Sequence, residues 1–84
     1  MRLLVVEDEK KLCDMIAKSL HQSGYEVDVC NDGEEALDMI YAEMYDLIVL
    51  DLNLPGVDGM EILRELRKED EETKVFILSA RSQI

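Results

Sequence analysis

The sequence predicts an α/β fold, a doubly wound parallel sheet with helices on both faces. Two observations carry this expectation. Four short runs rich in Val, Ile and Leu recur along the chain, and the three stretches between them place apolar residues at helical spacing. The resulting order, strand and helix in alternation with a strand at each end, demands right-handed crossovers and hence a parallel sheet.

The expected strands are residues 3–6, 27–30, 47–50 and 75–78. The first, third and fourth are continuously apolar, as strands covered on both faces should be. The second, Glu26-Val27-Asp28-Val29-Cys30, alternates polar and apolar residues and is therefore the natural edge. In the first helical stretch, Leu12, Ile16 and Leu20 recur on one face with support from Met15, and Gly24 after Ser23 supplies a terminator. The second stretch repeats the pattern with Ala36, Leu37, Ile40, Tyr41 and Met44, and Asp32 three residues before Glu35 reads as a capping box. Asp58 and Glu61 give the third the same signature, ahead of Met60, Leu63 and Leu66.

Eighty-four residues make one small domain with room for one core and one site. A net charge of -11 repels a polyphosphate backbone, so this segment is not expected to bind nucleic acid directly. The two cysteines, Cys13 and Cys30, sit in apolar patterns without zinc-like spacing and read as buried free thiols. Glu7 and Asp8 interrupt the first apolar run far short of a signal-peptide core, and no run approaches the roughly 20 residues of a membrane span. The expected setting is cytoplasmic, with no membrane contact. The lone His21 falls near the end of the first helix, remote from any strand terminus, and reads as a surface histidine. The five Met read as core fillers or surface apolars.

In doubly wound sheets, chemistry gathers at the carboxyl ends of the strands, near the point where strand order reverses. Glu7 and Asp8 follow the first strand, Asn31-Asp32-Gly33 the second, Asp51 ends the third and Ser79 the fourth. With the first and third strands adjacent, three carboxylates share one crevice. Such a cluster is self-repelling unless a cation or hydrogen bonds compensate; a divalent cation is the simplest compensator, and Mg2+ fits because it takes hard oxygen ligands beside phosphate. A carboxylate next to that ion is placed to attack a phosphoryl group and form an acyl phosphate.

Three separated segments resemble the receiver domain of two-component response regulators: Val5-Val6-Glu7-Asp8, the run from Ile48 through Asp51, Pro55 and Gly56 to Gly59, and Leu78-Ser79-Ala80. The resemblance implies a flavodoxin-like sheet with strand order 2-1-3-4. It implies that Asp51 accepts a phosphoryl group from a sensor histidine kinase and that Ser79 is the switch hydroxyl. Glu7, Asp8, Asp51 and the backbone carbonyl of Asn53 would hold Mg2+. Pro55 and Gly56 would shape the loop beside the site. The resemblance spans residues 1–84, which are expected to be a receiver domain incomplete at its carboxyl end, lacking the fifth strand and last two helices of a full receiver. Neither Lys74 nor Arg81 stands where that family carries its phosphoryl-binding lysine, at the end of the fifth strand. A longer, transcriptional regulator is the expected context. Without a fifth strand the fourth would be an open apolar edge, and self-association through it is expected.

Three other readings compete. The run from Asp51 to Gly56 begins like a calcium-binding loop, but Pro55 and Ile62 stand where that loop needs ligands. A magnesium-dependent aspartyl phosphatase has a similar nucleophile, yet its second carboxylate, two positions on, is here Asn53. A self-associating interaction module without phosphotransfer is the third.

Overall fold

The computed structural model describes residues 1–78. Along the chain run β1 (Arg2–Val6), α1 (Lys10–Gln22), β2 (Glu26–Cys30), α2 (Gly33–Ala42), β3 (Leu47–Leu50), α3 (Gly59–Glu69) and β4 (Lys74–Ile77). The four strands form one parallel sheet in the order β2-β1-β3-β4. This is the flavodoxin-like arrangement expected from the resemblance. The alternating strand β2 does lie at an edge.

The direction in which successive strands are added across the sheet reverses after β2, so crossovers of constant hand place α1 on one face and α2 with α3 on the other. Two clusters record this. Val5, Cys13 and Val49 pack with Ile16, Leu20 and Val27 under α1. Leu4, Val6, Ile48 and Leu50 pack with Ala36, Ile62 and Leu66 under α2 and α3. Burying chains of this kind contributes roughly 1.5–3 kcal/mol each, so β1 and β3, apolar toward both faces, form the centre of the fold.

The helix ends follow local chemistry. Asp32 and Asp58 are the N-caps of α2 and α3, accepting from the Glu35 and Glu61 amides at 2.8 and 3.0 Å. Only half of each expected capping box forms. The Glu35 carboxylate instead accepts from the Cys30 thiol, and Glu61 pairs with Arg64 three residues on. After α1 the chain turns at Gly24, whose φ of 98° is a conformation that favours glycine.

Several apolar positions differ from the expected pattern. The side of α1 that packs inward runs through Cys13, Ile16 and Leu20, while Leu12 and Met15 face solvent. In α3 the buried apolar side chains are Ile62 and Leu66, and Met60 is exposed. Met44 lies beyond the end of α2 and is 84% exposed, because Glu43 leaves helical geometry at the C-cap. Tyr41 is exposed as well and donates its hydroxyl to Glu65 at 2.9 Å.

At β4 the expected edge position is found among the described residues, but the expected cover on its faces is not. Its apolar sequence predicts cover on both faces, but Phe76 is 59% and Ile77 39% exposed. β4 has one neighbour, β3, among the described residues, and no helix among them covers its outer flank.

Candidate functional site

The carboxyl ends of β1 and β3 are held side by side by the sheet ladder, which pairs Val6 with Leu50. The next residues prolong it: the Asp51 amide donates to the Val6 carbonyl at 2.9 Å, and the Glu7 amide donates to the Cys30 carbonyl at 3.0 Å. The expected convergence is therefore realised. Glu7, Asp8 and Asp51 each offer a carboxylate oxygen, and these oxygens all lie within 4.8 Å of one another.

The three are not equivalent. Asp51 is 6% and Glu7 5% exposed, whereas Asp8 faces solvent. Burial pushes the Glu7 carboxyl above its ordinary range, opposed by the Glu9 amide, which donates to its Oε2 at 3.0 Å; the charge of Asp51 raises it further. A divalent cation would remove the repulsion that this spacing creates, and three oxygen donors, one of them open to water, suit the partly hydrated coordination of Mg2+.

Asn53 occupies the rim. Its amide donates to Asp51 Oδ1 at 3.0 Å, which restrains rotation of that carboxylate. Ser79 lies outside the described residues, so four of the five expected site residues can be placed. The loop from Asp51 to Asp58 is pressed onto its surroundings at two glycines. A Cβ built on Gly59 would stand 2.5 Å from the Leu52 Cα and 2.6 Å from the Asp51 carbonyl oxygen. One built on Gly33 would overlap the Val57 carbonyl oxygen and lie 2.8 Å from its carbonyl carbon.

A neighbour of the site has no expected role from sequence. Asn31 Nδ2 donates to the Glu7 carbonyl at 2.9 Å across 24 residues. The only signal available was its place at the end of the second strand, and a residue at a strand end is most often a simple turn former. A groove of about 370 Å³ opens at the other end of the sheet beside Tyr41, Tyr45 and Leu66. It takes no part in the acidic crevice.

At that opposite end Arg2 joins Asp28 at 3.0 Å and Glu43 at 2.9 Å, and lies over the Tyr45 ring. Burial and the hydrogen bond to Asp28 raise the Tyr45 hydroxyl well above its ordinary range. Both thiols are free and buried, as expected; burial pushes Cys30 up to about 11. Among the described residues no helix is long and apolar enough to cross a membrane.

A parallel sheet with an acidic crevice at its switch point defines the class of fold and site. The chain belongs to the response regulator receiver domain family, whose pattern residues 3–84 match. It is 44% identical over 84 residues to the transcriptional regulatory protein TctD of Salmonella typhimurium, covering 100% of this chain and 38% of that relative. It is 43% identical to the transcriptional regulatory protein DltR of Streptococcus agalactiae over 83 residues, 99% of this chain and 37% of the relative. The chain thus spans well under half the length of these relatives. Among solved structures, the response regulator TrrA of Thermotoga maritima in complex with Mg(2+)-BeF superposes with a TM-score of 0.90 at 40% identity, covering 96% of this chain and 70% of that one. TrrA in complex with the histidine kinase ThkA superposes with a TM-score of 0.88 at 39% identity, covering 98% and 71%.

Proposed function

We propose that this chain is a phosphoacceptor: Asp51 takes a phosphoryl group from a phosphohistidine of a sensor histidine kinase, with Mg2+ held by Glu7, Asp8, Asp51 and the Asn53 carbonyl. The observation that carries the reading is the meeting of three carboxylate oxygens within 4.8 Å at the switch point of the sheet. The relative captured with a histidine kinase and the one holding Mg(2+)-BeF support the choice of donor and ion.

In this reading an Asp51 carboxylate oxygen attacks phosphorus in line. The phosphorus–oxygen bond forms as the phosphorus–nitrogen bond to the donor imidazole breaks, and that nitrogen leaves with its electron pair. Bound Mg2+ supplies offsetting charge for the phosphoryl oxygens. Asn53 holds Asp51 through its amide. Ser79 is assigned to contact the transferred group. Asn53 also stands where an aspartyl phosphatase would carry its proton donor, and an amide cannot serve as that acid, so the acyl phosphate persists as a signal. The chain is a signalling acceptor in this reading, working in the cytoplasm as part of a longer transcriptional regulator.

Incubation with acetyl phosphate and Mg2+, followed by intact-mass measurement, tests the assignment. One phosphoryl mass is expected for the parent and none for Asp51→Asn. No gain in the parent, or an equal gain in the variant, overturns it.

A second reading rests on β4. Among the described residues β4 has a strand neighbour on one side only, and this with the exposed Phe76 and Ile77 favours pairing with another copy of the chain. Light scattering that finds a monomer across a wide concentration range would remove it.

A further inference from the structure

We infer that Asn31 is a positioning residue for the metal site, setting the direction in which Asp8 leaves β1. This rests on the metal reading above. The register between β1 and β2 ends at the Val6–Cys30 pair. One more backbone bond follows, from the Glu7 amide to the Cys30 carbonyl. The next main-chain group, the Glu7 carbonyl, belongs to a buried residue where the chain is turning away toward α1. A buried carbonyl needs a donor, and the Asn31 side-chain amide provides one at 2.9 Å.

That carbonyl lies in the peptide plane joining Glu7 to Asp8. Planarity of the peptide means that fixing the carbonyl fixes the amide of Asp8 as well. Asp8 is the exposed member of the trio, and this plane sets the position of its nitrogen and Cα, the base from which rotation about φ and χ1 carries its carboxylate into the cluster.

The brace is itself anchored. Immediately after Asn31, Asp32 caps α2 at 2.8 Å and Gly33 is wedged against Val57. Asn31 therefore projects from the start of a helix rather than from a free loop. The residue type also matters. Asp in its place would oppose an acceptor to an acceptor, and Ala would leave the Glu7 carbonyl without this donor.

Calorimetric titration of Mg2+ into the folded 84-residue chain reads the effect directly. Groups that orient metal ligands from outside typically change affinity by 10–100-fold, so Asn31→Ala is expected to weaken Mg2+ binding about ten-fold. Asn31→Gln keeps the amide donor and should stay within about three-fold of the parent. Asp8→Asn should lose most of the binding. An Asn31→Ala chain with parental affinity, even with a lower melting temperature, overturns the positioning role and leaves the metal reading intact. A parent chain that does not bind Mg2+ saturably overturns both. If Asn31→Ala does not fold, Asn31→Ser preserves a small polar turn residue but falls short of the Glu7 carbonyl. The same weakening is expected of it, and unchanged affinity overturns the inference.

Discussion

Replacing Gly33 by Ala sets two opposed effects against each other at the first turn of α2. Alanine is the better helix former, by at most about 1 kcal/mol and less at a helix end. Gly33 does not need its dihedral freedom, since the positive-φ glycines among the described residues are Gly24 and Gly56. Against that gain stands the Val57 main chain: an added methyl overlaps its carbonyl oxygen and meets its carbonyl carbon at 2.8 Å. No rotamer change relieves a clash with backbone, so either α2 or the 52–58 loop must shift. Overpacking of this kind costs about 1–3 kcal/mol, and a backbone obstacle belongs at the upper end. The net expectation is a loss of about 2 kcal/mol, from a total of roughly 4–13 kcal/mol for a domain this size. Urea denaturation followed by circular dichroism would read it, and the melting temperature should fall by about 8–16 °C. A Gly33→Ala chain as stable as the parent would refute the contact between the two loops.

Asp8→Asn removes one of the three carboxylates that lie within 4.8 Å of one another. Without Mg2+ it should raise stability by about 1 kcal/mol through relief of repulsion, while abolishing stabilisation by added Mg2+. Lower stability than the parent in metal-free buffer would contradict this. Burial lifts the Cys30 thiol from 9.0 to about 11, so the folded chain keeps a proton that the unfolded chain releases. That contribution is complete below pH 9.0 and is lost as pH rises toward about 11. Stability measured over that interval should fall less steeply in Cys30→Val than in the parent; equal slopes would count against the shift. Asp32→Ala should cost about 1 kcal/mol through loss of the cap on the Glu35 amide, whereas Glu35→Gln should cost little because its carboxylate does not return the bond.

The strands were legible almost to the residue, because continuous Val, Ile and Leu runs bounded by charge have few other uses in a small chain. Residues 47–50 match β3, and the other three strands differ from expectation by one residue at their ends. The order 2-1-3-4 came from the resemblance, since apolar runs do not say which strands are neighbours. Helical faces were less legible. Leu12 and Met15 recur at helical spacing yet face solvent, because the sheet beneath α1 is met by Cys13, Ile16 and Leu20. Hydrophobicity gave β4 the signature of a central strand, but cover depends on neighbours and not on composition. In the site, Glu7, Asp8 and Asp51 were visible as acids at strand ends. The Asn31 bond and the Gly33 contact were not, because both join segments distant in sequence through backbone atoms that every residue carries.

The flank of β4 that has no strand partner among the described residues also bears on how the molecule behaves in bulk solution. Lys74, at the start of the strand, is the one charged side chain among Lys74, Val75, Phe76 and Ile77. Local charge does little to keep such flanks apart, and the task falls to the whole molecule's -11. That colloidal guard fades as carboxylates protonate and vanishes near pH 4.3. Acidification therefore withdraws the long-range repulsion while leaving the exposed Phe76 and the flank of β4 that has no strand partner among the described residues in place. On the proposed pairing of β4 between copies, the solubility minimum of this chain and its greatest tendency to build sheets between molecules are expected at the same pH.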